Sequence, residues 1–292
     1  MAAETILFFG DLLHYSNTEL GPVVTASGTA AGYHVDNVRD TNLSSAWKDS
    51  DSTTADIWLE VDGDHASWLG AANDTAYVAI AYDARDNQQD TLKLEYGAVD
   101  DGAFATPTVA ATFTLVKLGT AVQCQYASFS IPATAKRYWR LIGYGNERTE
   151  AGGSQVPKIY CFSMFDKDTV FKLGTSPYAD VPPGAGQVTP VSRVGVARTA
   201  IGSLATNKHA EYGMQFDTSF QPASAALWEV IRDEHAAQSG PLRGNFVQHE
   251  GLRNTAQPDF FLCRLASNEF PGQREYIDQV ESALAWVTEP WL

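Results

Sequence analysis

The sequence predicts a mainly β protein of two domains, a β-sandwich followed by a β domain with one α-helix, and three observations point there. Short segments with apolar residues at alternate positions recur through the first half of the chain. Clusters of turn-forming residues separate them, and no amphipathic helix of useful length appears before residue 165. A Pro- and Gly-rich stretch then leads into a second group of strand-like segments that holds one helical pattern.

In order, "IWLEVD" (57–62) reads as a strand, and "YVAIAYD" (77–83) sets Val78, Ile80 and Tyr82 on one face. "TLKLEYG" turns Leu92, Leu94 and Tyr96 inward and Lys93 and Glu95 outward, while "ATFTLVKL" places Phe113 and Leu115 on one side. "RYWRLIGY" (137–144) and "IYCFSMF" (159–165) are bulky on both faces, as strands covered on two sides are. "DARDN", "VDDG", "YGNE" and "AGGS" supply turns between them. This pattern predicts a first β-sandwich or jelly-roll domain over 1–171 and a linker over 172–187, "KLGTSPYADVPPGAGQ", rich in Pro and Gly and nearly without charge.

The second domain is expected over 188–292. "HAEYGMQFDTSF" reads as a long strand with Tyr212, Met214 and Phe216 inward. An α-helix is expected at about 222–238, with Pro222 in its first turn, an apolar stripe of Ala223, Ala226, Leu227, Val230 and Ile231, and Gly240 closing it. "GNFVQH", "DFFLCRL" and "ALAWVTE" read as strands, the last against a competing helical pattern through Ile277, Val280, Leu284 and Val287.

Twenty Lys and Arg against 35 Asp and Glu give a formal net charge of -15, which disfavours nucleic-acid binding by a basic face and docking on anionic membranes. The N-terminus lacks a basic region before its apolar run, which Gly10 and Asp11 interrupt, so neither a signal peptide nor a membrane span is expected. Cys124, Cys161 and Cys263 are too few and too scattered for a disulfide framework and are expected as buried free thiols in a reducing cytoplasm.

"NVRDTNLSSAW" followed by "IWLEVD", "YVAIAY" and "RYWRLIGYGN" resembles the discoidin-like, galactose-binding-like jelly roll, in the variant carried by tailed-phage proteins, over roughly residues 20–170. "EYGMQFDTSF", "LWEVIRDEH", "GNFVQ", "DFFLCRLASNEF" and "ALAWVTEPW" resemble the tail-tube-like β-sandwich or barrel of phage tail-tube and distal-tail (hub) proteins. The resemblance implies a structural virion protein, a ring-forming component of the distal tail or tail tip. Its implied partners are copies of itself in a hexameric ring, the tail tube, and the tail hub or fibre. Such a protein is made and assembled in the host bacterial cytoplasm and resides in the virion tail. A ring of acidic subunits would line an electronegative channel past which DNA slides. The alternative is a carbohydrate-binding, lectin-like adhesion module that attaches to host-surface glycans.

The residues that the loop rim of such a jelly roll would offer to a ligand are Tyr33, His34, Trp47, Asp49, Arg85, Asp86, Asn87 and Asn146. For Trp47 there are two readings: stacking on a sugar ring with Asp49 and Asp51 bonding its hydroxyls, or plugging the core where the polar turn meets the first strand. Packing is preferred. Asp49, Asp51 and Asp56 offer hard oxygen ligands, yet lack the Gly and closing Glu of a calcium loop, so a solvated loop is preferred and no metal is assigned. No nucleophile elbow, P-loop, dinucleotide fingerprint or H-E-x-x-H motif is present, and the six histidines lack metal-ligand spacing. His235 is placed to meet a helix dipole rather than a metal. No enzyme activity, catalytic residue or cofactor is expected.

Overall fold

The computed structural model describes residues 5–14, 22–50, 55–84, 89–98, 102–116, 122–148 and 157–173. In the later part it describes 189–191, 194–198, 204–208, 213–224, 229, 232–233, 244–249, 259–265, 273–276 and 279–288. The chain forms two compact units. One is continuous, Phe8–Val170, and the other joins the two ends of the chain, Met1–Leu7 and Phe171–Leu292. The expected first domain, 1–171, therefore differs at its start, because the first seven residues belong with the C-terminal half. The strand responsible is β1 (Thr5–Phe8). Of the expected linker, 174–187 lies outside the described residues.

The continuous unit is a β-sandwich. Its strands are β2 (Val23–Ala26), β3 (Ile57–Asp62), β4 (Thr75–Asp83), β5 (Thr91–Gly97), β6 (Pro107–Thr114), β7 (Val122–Ser130), β8 (Tyr138–Gly143) and β9 (Ile159–Phe165). One sheet has the order β2-β3-β8-β5-β6 and the other β7-β4-β9, with antiparallel pairing throughout. Alternation fixes the inner faces: Ile57, Leu59, Val61, Leu92, Leu94, Trp139 and Leu141 meet Val78, Ile80, Tyr82, Phe129, Phe162 and Met164 in one core. Trp139 packs at 5.3 Å from Tyr96 and 5.1 Å from Phe129, and its indole N–H donates to Lys136 O. Tyr82 keeps its hydroxyl satisfied at the edge of this core, accepting from Val116 N and Gln125 Nε2. Burial pushes its pKa up to about 12.

Strand β9 ends its sheet yet is buried on both faces. Its outer edge is occupied rather than open: Trp47 and Ile159 exchange backbone hydrogen bonds of 2.8 and 2.9 Å, and Leu12 N donates to Met164 O at 2.9 Å. The buried Asp11 carboxylate accepts from Leu13 N and from the Ser163 hydroxyl. Cys161 lies beside Ser163, and burial raises its thiol pKa well above the ordinary value. Cys161 and Cys263 are buried free thiols; Cys124 is half-buried.

In the two-segment unit, β10 (Val170–Leu173), β11 (Thr189–Val191), β14 (Gly213–Ser224), β15 (Asn245–His249), β16 (Asp259–Leu265) and β18 (Gln279–Thr288) join β1 in one sheet. The order is β10-β1-β15-β16-β18-β14-β11, and β17 (Gln273–Tyr276) pairs with β18. A separate hairpin pairs β12 (Val194–Arg198) with β13 (Leu204–Lys208). The strand reading of "ALAWVTE" is realised in β18.

The helix expected from Pro222 starts later. Pro222, Ala223 and Ser224 continue β14, and the register shifts between Phe220 and Ala223 against β18. A bulge is where a strand tolerates a proline, since the missing N–H opposes no ladder partner. Glu229, Arg232 and Asp233 are helical; 225–228, 230–231 and 234–238 lie outside the described residues, as does His235. Among the described residues no helix is long and apolar enough to cross a membrane.

Candidate functional site

The expected loop rim is largely committed to the fold. Trp47 is 1% exposed and donates its indole N–H to Gly28 O at 2.9 Å. Asp49 is 3% exposed and takes a hydrogen bond from the Ser27 hydroxyl. The two residues thus brace one corner, Ser27–Gly28, and neither presents a surface to a ligand. Tyr33 is half-buried. His34 is exposed, and its ring Nδ1 accepts from Asp36 N, capping a 3-10 helix over Val35–Arg39. Asn146 is exposed in a second 3-10 turn, Gly145–Glu147. Arg85, Asp86 and Asn87 lie outside the described residues, as does Asp51. Asp56 accepts from Gly145 N at 2.9 Å, so it anchors that turn. Among the described residues no cluster of His, Cys, Asp and Glu is placed to hold a metal ion.

A different surface gathers polar and aromatic groups: the outer face of the five-stranded sheet. Pairing lines up Thr25, Glu60, Arg140, Glu95 and Val109 across all five strands. One step along lie Trp58, Ile142 and Lys93, and on the opposite side of the Glu60 row lie Asp62 and Tyr138. Alternation puts every one of these side chains on the face opposite the core.

Most charges on this face have partners. Glu95, 1% exposed, accepts from Arg140 Nη2 at 3.1 Å and from the Tyr144 hydroxyl at 2.8 Å. The Arg140 guanidinium lies 4.4 Å from the centre of the Phe104 ring. Phe104 sits at φ +47°, a strained conformation for a bulky residue, in the loop between β5 and β6. Lys93 and Thr91 both bond Glu147, and these bonds hold its carboxyl below the usual range against the opposing effect of burial. Asp62 takes a bidentate pair from Arg137 at 2.5 and 2.8 Å, which lowers its pKa. Burial pushes Tyr144 up to about 12, helped by its bond to Glu95.

Glu60 is the exception. Among the described residues no hydrogen bond engages its carboxylate, and none engages the half-buried indole N–H of Trp58 two positions away. Burial raises the Glu60 pKa, Arg140 opposes the rise, and Asp62 adds to it. A carboxyl whose pKa is higher folded than unfolded favours the folded state in its neutral form. Its contribution therefore improves as pH falls through the folded value and is unfavourable above it. Glu60→Gln is accordingly expected to raise the thermal midpoint slightly at neutral pH, within about 0.5 kcal/mol. That gain should vanish in acid, as thermal unfolding at two pH values would show.

The alternation of "IWLEVD" and "RYWRLIGY" marks Trp58, Glu60 and Arg140 as outward-facing, but only the strand order makes them neighbours. Glu95 was expected outward; it does point away from the core, yet it is covered.

No protein family matches the chain, and no curated protein does. Among solved structures, the chain is similar to a chitosan-binding module in complex with chitotriose, derived from a chitosanase/glucanase of Paenibacillus sp. IK-5, at 15% identity and TM-score 0.34, covering 49% of this chain and 95% of that one. It is similar to the family 32 carbohydrate-binding module of Clostridium perfringens NanJ in complex with galactose, at 15% identity and TM-score 0.34, covering 49% and 92%. It is also similar to the carbohydrate-binding module CBM6cm-2 of Cellvibrio mixtus lichenase 5A in complex with cellotriose, at 14% identity and TM-score 0.30, covering 57% and 99%. Likeness at this level decides no ligand and no site; the neighbours are carbohydrate-binding modules, and the β-sandwich of this chain is described by its own strands and core.

Proposed function

We propose that the chain is a carbohydrate-binding protein whose recognition surface is the outer face of the five-stranded sheet. The observation that carries this reading is the pair Trp58 and Glu60. A half-buried indole and a carboxylate without a hydrogen bond stand side by side on a sheet where the neighbouring charges are paired. An indole face packs on the C–H face of a sugar ring, and its N–H and the carboxylate supply a donor and acceptors for hydroxyls. No bond-breaking step belongs to this reading. The purified full chain is expected to bind immobilised glycans, and Trp58→Ala to weaken binding by at least ~10-fold, about 1.4 kcal/mol. A chain that retains no glycan from a broad array overturns it.

A second reading concerns the two-segment unit, as a ring-forming element of a phage tail tip that carries the sandwich toward a host surface. It is favoured by a sheet in which both ends of the chain meet and whose longest strands, β14 and β18, pair with each other. In this reading the protein resides in the virion tail, with copies of itself and other tail proteins as partners. Light scattering over a concentration series, with negative-stain images of the same sample, is expected to show closed rings. A monomer at every concentration counts against self-assembly of the isolated chain.

A further inference from the structure

Resting on the carbohydrate-binding reading, we infer that the sugar this face selects carries a protonated amine, with its ring on Trp58 and its ammonium against Glu60. Charge matching on the sheet is the first argument. Glu95 is satisfied by Arg140 and Tyr144, Asp62 by Arg137 and Glu147 by Lys93. Arg140 is held at Glu95 and under the Phe104 ring, so Glu60, its other cross-strand neighbour, feels its charge without an ion pair to it. What completes the row is therefore a cation from outside.

Geometry is the second argument. Trp58 and Glu60 are two residues apart on one strand, so they project from the same face ~7 Å apart. Both are half-buried, and exposed Thr25 flanks Glu60 on β2. On the far side Gly102, at φ +74°, brings the β5–β6 loop close: a Cβ there would lie 3.7 Å from Glu60 Oε1. The carboxylate thus stands between Thr25 and the Gly102 loop, with the indole two residues along the same strand face. A partly desolvated carboxylate attracts a cation more strongly than a solvated one, and an indole face attracts it further. The formal net charge of -15 enriches cations around the whole molecule. The same features disfavour sugars bearing carboxylates or sulfates.

The test uses the full chain and two probes that differ only in the amine, a glucosamine oligomer and its N-acetylated counterpart, titrated calorimetrically at a pH where the free amine is protonated. The free-amine oligomer is expected to bind at least ~10-fold tighter. Glu60→Gln should weaken the free-amine oligomer more than the N-acetylated one, so that the preference falls below about 2-fold, and Trp58→Ala should weaken both. Unchanged thermal unfolding of Glu60→Gln in acid confirms that the variant folds. Equal affinity for the two probes, or a preference that survives Glu60→Gln, overturns the inference and leaves the carbohydrate reading standing. If neither probe nor any other glycan binds, both fall together.

Discussion

Arg140→Met is expected to destabilise the sandwich by about 3–5 kcal/mol, the usual consequence of removing one member of a buried ion pair. Glu95 is 1% exposed, and the substitution leaves its carboxylate with the Tyr144 hydroxyl but without its cation. For a domain of this size the thermal midpoint should fall by roughly 2–4 °C per kcal/mol. The informative variant is the double substitution Arg140→Met with Glu95→Leu. It removes both charges together, keeps apolar contact with Phe104, and should recover most of the loss, because paired buried charges contribute little net stability. A double variant as unstable as the single one would show that the loss does not come from leaving the Glu95 charge uncompensated.

Trp47→Ala is expected to have an effect of similar size, about 3–5 kcal/mol, for a different reason. The indole fills the corner beneath Gly28 and packs into the core, and the Trp47 backbone pairs with Ile159 along the outer edge of β9. Trp47→Phe keeps part of the packing but leaves Gly28 O without its donor, so an intermediate loss is expected. Glycan binding measured well below the lowered midpoint should be unchanged in Trp47→Phe. A variant that folds normally but no longer binds would return this residue to the site.

What the sequence disclosed was what depends on nearest neighbours along the chain. The alternation of "TLKLEYG" and "YVAIAYD" places Leu92, Leu94, Val78 and Ile80 in the core without knowledge of any partner. Trp47 was legible as a packing residue because the jelly-roll pattern that the sequence resembles places this Trp inside the fold. Pro222 misled because proline suits both the first turn of a helix and a bulge in a strand. Only the partner β18 decides between them. The row Thr25–Glu60–Arg140–Glu95 was illegible for the same reason: its members come from four strands, and their adjacency depends on strand order. Strand β1 was missed because its neighbours in the sheet are β10 and β15, more than half the chain away.

That last arrangement has a consequence for synthesis. At roughly 5–20 residues per second, the ribosome takes on the order of 10–50 s to go from β1 to its neighbour β15. The sandwich is one uninterrupted segment, so it can finish folding during that interval. The first strand waits with an unpaired edge until β15 has emerged, so a product that stops short of β15 exposes a strand edge prone to aggregate.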